Sequence, residues 1–152
     1  MSTEVKKQYV LGFIFNYAGD ILLIEKKRPE WQAGLLNGVG GKIEPFELPK
    51  AAMVRETKEE TNLDIPEDYW RFVCLIEGED YQTHVFTCIY DTRPVITITD
   101  ENIFVLYKAT ATSDIYQKID NINALIELSA LRLKHEKENN HCPKISFYSL
   151  GY

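Results

Sequence analysis

From Gly41 to Leu63 the chain reads GKIEPFELPKAAMVRETKEETNL, a loop that opens on glycine and runs into a segment with helical spacing and a dense acidic run. Pro49 to Thr61 is predicted helical, so Glu56, Glu59 and Glu60 stand at i, i+3 and i+4 and project from one face within a single turn. Like charges at that spacing cost about 0.2–0.5 kcal/mol per pair in an isolated helix, and a counter-charge cancels the penalty. Arg55 and Lys58 offset part of it. A divalent cation does so more completely, and hard cations such as Mg²⁺ or Mn²⁺ favour oxygen ligands. A solvated charged face is the commoner meaning of a Glu/Lys run. The upstream segment Leu36-Asn-Gly-Val-Gly-Gly-Lys42 shifts the balance, because its glycines permit a tight backbone path and close approach to a ligand. Loop, helix and carboxylate face form one unit suited to a metal ion and a phosphate.

The spacing Gly, five residues, Glu, seven residues, Arg-Glu-x-x-Glu-Glu-x-x-apolar is met by Gly41, Glu47, Arg55, Glu56, Glu59, Glu60 and Leu63. It resembles the signature of the Nudix hydrolases. The resemblance implies an α/β fold, an α/β/α sandwich around a mixed β-sheet, with residues 1–152 as a single domain. It also implies hydrolysis of a nucleoside diphosphate linked to another moiety, with Mg²⁺ or Mn²⁺ as cofactor. Carried over position by position, Glu56, Glu59 and Glu60 are the expected metal ligands, and Glu59 or Glu60 the expected base. The Gly41 carbonyl is a further ligand candidate, and Glu101, in a later loop, is another; as a bare residue Glu101 is equally a solvated turn carboxylate. Glu47 and Arg55 are expected to pair and hold the loop against the helix, since a buried charge needs a partner.

The chain departs from the family pattern in three places. Asn62 stands where Gly is usual, and it keeps the left-handed backbone role because Asn tolerates that conformation next best. Thr57 replaces an aliphatic residue and, being small and β-branched, can still pack inward. Phe46-Glu47-Leu48 replaces Gly-Glu-Ser or Gly-Glu-Thr, so the helix start lacks a side-chain cap while Pro49 suits its first position.

The segment Leu36–Lys42 also resembles that of MutT-type members, which cleave nucleoside triphosphates, including oxidised purine nucleotides, to monophosphate and pyrophosphate. There Asn37 would reach the base, a role its amide suits because it both donates and accepts; next to glycine it is equally a turn residue. Asp120, with Asn121, is placed like base-reading acidic residues, although helix capping also explains it. Tyr81 and Phe86 are candidates for stacking on a base, and aromatic residues in strands are more often core. Cleavage of ADP-ribose, NADH or a dinucleoside polyphosphate is the enzymatic alternative, mildly disfavoured by the short segment before Gln8. A non-catalytic nucleotide-binding regulator is the other alternative, and the complete carboxylate set argues against it.

Composition sets the remaining bounds. With 152 residues, 45% of them hydrophobic, the chain can bury a core as one domain. A net charge of −6 argues against polymeric nucleic acid as partner. With neither a long apolar run nor a signal-peptide pattern, the expectation is a cytoplasmic protein without a membrane partner, monomeric or homodimeric. Cys74, Cys88 and Cys142 lack metal-binding spacing and are expected reduced, the first two in the core; His141-Cys142 is a weak zinc pattern. Strands are predicted at Gln8–Phe15, Asp20–Lys26, Arg71–Ile76, His84–Tyr90 and Ile103–Tyr107. An amphipathic helix is predicted from Asp120 to about Lys137, followed by an apolar tail suited to a sheet edge or a neighbour.

Overall fold

The computed structural model describes residues 4–92, 102–106, 118–138 and 147–148. β1 (Lys7–Phe15) and β2 (Ile21–Glu25) flank a turn that Asn16 holds itself, its Oδ1 accepting from the amides of Ala18 at 3.0 Å and Asp20 at 2.9 Å. This local bonding is why Asn favours turns.

The glycine-rich segment expected as a loop is instead two short strands, β3 (Leu36–Asn37) and β4 (Val39–Lys42). β4 runs antiparallel to β1, from Tyr9 opposite Lys42 to Gly12 opposite Val39. A Cβ on Gly40 would lie 2.1 Å from the Val10 carbonyl oxygen. Glycine here serves close backbone contact, and non-local pairing overrides its poor strand preference.

β5 (Arg71–Glu77) and β6 (Tyr81–Ile89) form a hairpin, and β6 begins at Tyr81 rather than at the expected His84. The early start is possible because its polar residues find partners across the sheet. Gln8 donates to Gln82 at 3.0 Å and lies 3.0 Å from the His84 ring, while Gln82 donates to Glu77 at 3.2 Å. β7 (Asn102–Leu106) pairs with β2, and β8 (Phe147–Tyr148) lies parallel to β5, so part of the apolar tail does reach a sheet edge. Among the described residues the strands make one eight-stranded mixed sheet, ordered β3-β2-β1-β6-β5-β8, with β4 also on β1 and β7 also on β2. β1 lies parallel to β6 along its whole length.

Alternation along β2 distributes its side chains to two cores. Leu22 and Ile24 join Val10, Ile14, Met53 and Trp70 beneath α1 (Pro49–Thr61), while Ile21 and Leu23 join Phe13, Phe15 and Val85 beneath α2 (Ile122–Glu138). A strand buried on both faces reads as a continuous apolar run, which ILLI is. The result is the expected α/β/α sandwich. Cys74 and Cys88 are free and buried in opposite cores, and burial pushes the Cys74 thiol up to about 11 and the Cys88 thiol higher. His141 and Cys142 lie outside the described residues.

α1 begins without a side-chain cap at Leu48, with Pro49 as its first residue, and ends at Asn62 in the left-handed conformation (φ 62°), whose amide donates to the Lys58 carbonyl at 2.9 Å. Thr57 and Thr61 are fully buried, and each hydroxyl donates to the carbonyl one turn back, on Met53 at 2.7 Å and on Thr57 at 2.6 Å. A buried hydroxyl left unpaired would cost about 1–3 kcal/mol, so this back-bonding makes threonine acceptable there. α2 starts immediately after Asn121, which has φ 69° and whose carbonyl accepts from Leu125.

Candidate active site

α1 and the β4–α1 loop are joined by Arg55. Its Nε donates to Glu47 Oε2 and its Nη2 to Glu47 Oε1, both at 2.8 Å, a two-pronged pair. Nη2 also donates to the Lys42 carbonyl at 3.0 Å, and Nη1 reaches Glu56 Oε1 at 2.7 Å and, more weakly, Glu59 Oε2 at 3.4 Å. Glu47 in turn accepts from the Glu44 amide at 3.1 Å. The Arg55 guanidinium holds the Glu47 carboxyl below its ordinary range, and Glu47 raises Arg55. The expected Glu47–Arg55 pair is therefore present, and it fixes β4, the loop and the helix against one another.

Glu60 lies against the sheet. Its Oε1 accepts the Gly40 amide at 2.9 Å and its Oε2 the Lys26 ammonium at 3.1 Å. Burial pushes the Glu60 carboxyl up to about 7, against the pull of Lys26 and the Gly40 amide. Burial raises Glu56 as well, opposed by Arg55. The Glu56 carboxylate sits over Gly41, where a Cβ would lie 2.5 Å from its carboxyl carbon. Any other residue at position 41 would displace that carboxylate. Glu59 points outward, its side chain 57% exposed.

Among the described residues no group of three or more His, Cys, Asp or Glu side chains is gathered closely enough to hold a metal ion. The local contacts supply a reason, since Arg55 engages Glu56 and Lys26 engages Glu60. The donor chemistry nevertheless fits a hard divalent cation. Three carboxylates share one helix face, and burial has raised the two inner ones, Glu56 and Glu60, so added positive charge would stabilise both in their ionised form. Glu101 lies outside the described residues.

Sequence reasoning missed Lys26 and the Gly40 amide. The run Lys26-Lys27-Arg28 at the end of β2 was the available signal for the first. The second follows from a pairing register that a single sequence does not display.

The segments that carry Asn37 and Asp120 adjoin. β3 bridges to the segment before α2 through Leu36 and Lys118, and the Ile119 amide donates to the Leu36 carbonyl at 3.0 Å. Asn37 pairs with Ile24, which sets it on the α1 side of the sheet. Its Oδ1 accepts from the Gly38 amide at 2.7 Å, a turn-like contact that leaves its amide donors for other partners. Asp120 is exposed in the turn before α2. Phe86 is not available for stacking: it is 3% exposed and packs edge-on against Phe72. Tyr81 pairs with Lys7 at the start of β1, and its ring covers Gly78.

A family model described as NUDIX domain matches residues 5–135. The chain is 40% identical over 55 residues to the CTP pyrophosphohydrolase of Escherichia coli (strain K12), an overlap of 36% of this chain and 41% of that protein. The match thus spans about two fifths of that relative's length. Its structure resembles a MutT/nudix family protein from Enterococcus faecalis, with a TM-score of 0.75 and 17% identity over 88% of this chain and 64% of that one. It also resembles the NUDIX domain of Shewanella oneidensis NrtR solved with ADP ribose, with a TM-score of 0.69 and 19% identity over 88% of this chain and 90% of that one. At such identities the structural likeness shows the fold.

Proposed function

The chain belongs to the Nudix family, and from that premise we propose that it is a divalent-cation-dependent pyrophosphohydrolase converting a nucleoside triphosphate to its monophosphate and pyrophosphate. The observation that carries this reading is the single unit formed by the Gly41 backbone, the Glu56, Glu59 and Glu60 face, and the Arg55–Glu47 pair that fixes it. Such fixed charge suits phosphoryl chemistry, in which positioning and electrostatics do most of the catalytic work.

Glu56, Glu59 and Glu60, with the Gly41 carbonyl, would hold Mg²⁺ or Mn²⁺. That cation would supply neutralisation of phosphate oxygens and a water of lowered pKa. Glu59 or Glu60 takes the proton of the attacking water. Arg55 and Glu47 orient the carboxylates and touch no substrate. Asn37 and Asp120 read the base from the β3 side, supported by the bridge that brings their segments together.

The substrate is a nucleotide. The E. coli relative's name brings CTP into the first comparison, beside canonical and oxidised purine triphosphates. A Mg²⁺-dependent screen of these compounds with ADP-ribose, NADH and dinucleoside polyphosphates tests the assignment, with Glu59→Gln and Glu60→Gln run beside the wild type. Monophosphate plus pyrophosphate, lost in the variants, is the expected result. Two monophosphates from ADP-ribose or NADH would shift the assignment to that substrate class, and tight nucleotide binding without turnover would replace it with a regulator.

A further inference from the structure

Lys26 follows the last residue of β2, and its ammonium reaches across to α1. The Lys26–Glu60 pair is nearly enclosed, with side chains 13% and 10% exposed and a separation of 3.1 Å. A charge so enclosed must be paired, and each partner here answers the other. The other inward carboxylate, Glu56, is met by Arg55 at 2.7 Å. The two cations are held differently. Arg55 is anchored by two bonds to Glu47 and one to the Lys42 carbonyl, so it stays in place whatever Glu56 does. Lys26 carries a compact ammonium on a flexible four-carbon stem, which can swing away.

A metal ion on Glu60 and an ammonium on the same carboxylate would place like charges within a few ångströms of each other in a poorly screened site. We propose that Lys26 is an internal counter-cation that must withdraw from Glu60 before a divalent cation binds there, and so acts as a positioning residue that sets the cation affinity. The inference rests on the ligand assignment proposed above. Population arithmetic scales the effect: for a pair closed about nine-tenths of the time, apparent cation affinity would weaken about tenfold.

The test is Mn²⁺ binding to the full chain, followed by titration calorimetry, with thermal melts in EDTA and at saturating Mn²⁺. Lys26→Met is expected to bind Mn²⁺ about tenfold tighter than wild type, and Lys26→Arg, which keeps the counter-charge, within about threefold of it. Lys26→Met melts lower than wild type in EDTA and regains the wild-type value once saturated. Lys58→Met removes the same charge from α1, where Lys58 pairs with Asp64 at 2.9 Å, and should leave the affinity nearly unchanged. Lys26→Gln provides a second neutral variant should the methionine not fold. An affinity that is unchanged or weaker in both neutral variants, with melting lowered equally in EDTA and in Mn²⁺, overturns the proposal. Wild-type protein that binds no Mn²⁺, or Glu60→Gln that binds it as tightly as wild type, overturns the ligand assignment and this inference with it.

Discussion

Arg55 grips Glu47 through two hydrogen bonds of 2.8 Å each, tying the first turns of a helix to the loop that feeds it. A lysine offers no planar fork to match a carboxylate. Arg55→Lys should therefore lower kcat about 10–100-fold by loosening the carboxylate face. Because the pair is partly buried, stability should fall by about 1–3 kcal/mol. Steady-state kinetics and urea melts of the same preparation check both. Unchanged kcat with reduced stability would confine the pair to folding.

Gly41→Ala would place a methyl group 2.5 Å from the Glu56 carboxyl carbon, at the end of a side chain that can move. The protein should fold, with far-ultraviolet circular dichroism like wild type, and lose most of its activity. Gly40→Ala meets the Val10 carbonyl oxygen at 2.1 Å, where backbone must give way. It should destabilise the fold by about 2–4 kcal/mol, as overpacking a rigid contact does. Equal loss of stability in the two variants would contradict the distinction.

Glu60 predicts an unusual pH dependence for the cation-free protein. Its folded pKa is raised to about 7 from an ordinary 4.5, so between those values the folded state holds a proton that the unfolded state has lost. Stability contributed by this group is therefore present below about 4.5 and lost as pH rises through 7, about 3 kcal/mol in all. Glu56 acts in the same direction. His84 acts in the opposite direction, since burial lowers its pKa and acid therefore destabilises the folded form. Chemical denaturation in EDTA from pH 5 to 8 should show the decline in wild type and a shallower slope in Glu60→Gln. A wild-type curve that rises across that window, or matches the variant, would falsify it. Saturating Mg²⁺ should recover more stability at pH 8 than at pH 5.5, because the cation stabilises the ionised form.

Phe46 occupies the left-handed region at φ 64° with its ring fully exposed. Phe46→Gly relieves the backbone strain and loses no packing, so stability should rise by about 0.5–1 kcal/mol. A denaturant midpoint lower than wild type would show that the ring makes contacts of its own.

Asn37→Ala and Asp120→Asn should each raise KM for the preferred nucleotide about tenfold while kcat changes little, as expected for groups that bind the base remotely from the phosphates. A fall in kcat at constant KM would assign them to the chemistry instead.

Legibility in the sequence followed the distance over which each contact acts. The extent of α1, its uncapped start and the left-handed Asn62 were readable because neighbours along the chain decide them. The Glu47–Arg55 pair was readable from the family signature that spans both residues. β4 was not, because its glycines say loop and only the pairing with Val10 and Leu11 makes them strand. Lys26 escaped notice since its partner lies 34 positions away. The early start of β6 depends on Gln8, 74 positions from Gln82. Phe86 was placed as a stacking candidate because residue type alone does not reveal which face of a strand is covered. Glu101 lies outside the described residues.

β1 pairs with β2, β4 and β6, and its partnership with β6 joins Lys7 to Tyr81 and Phe15 to Ile89. During synthesis β1 leaves the ribosome well before β6 exists, and one of its edges waits unpaired while the whole of α1 is made. Parallel pairing across so long a stretch of chain is slow to form, and a waiting apolar edge invites association with other nascent chains. A strand at the centre of the finished sheet thus keeps one edge exposed until β6 is made. Yield on expression should depend more on substitutions along that edge than the stability of the mature protein does.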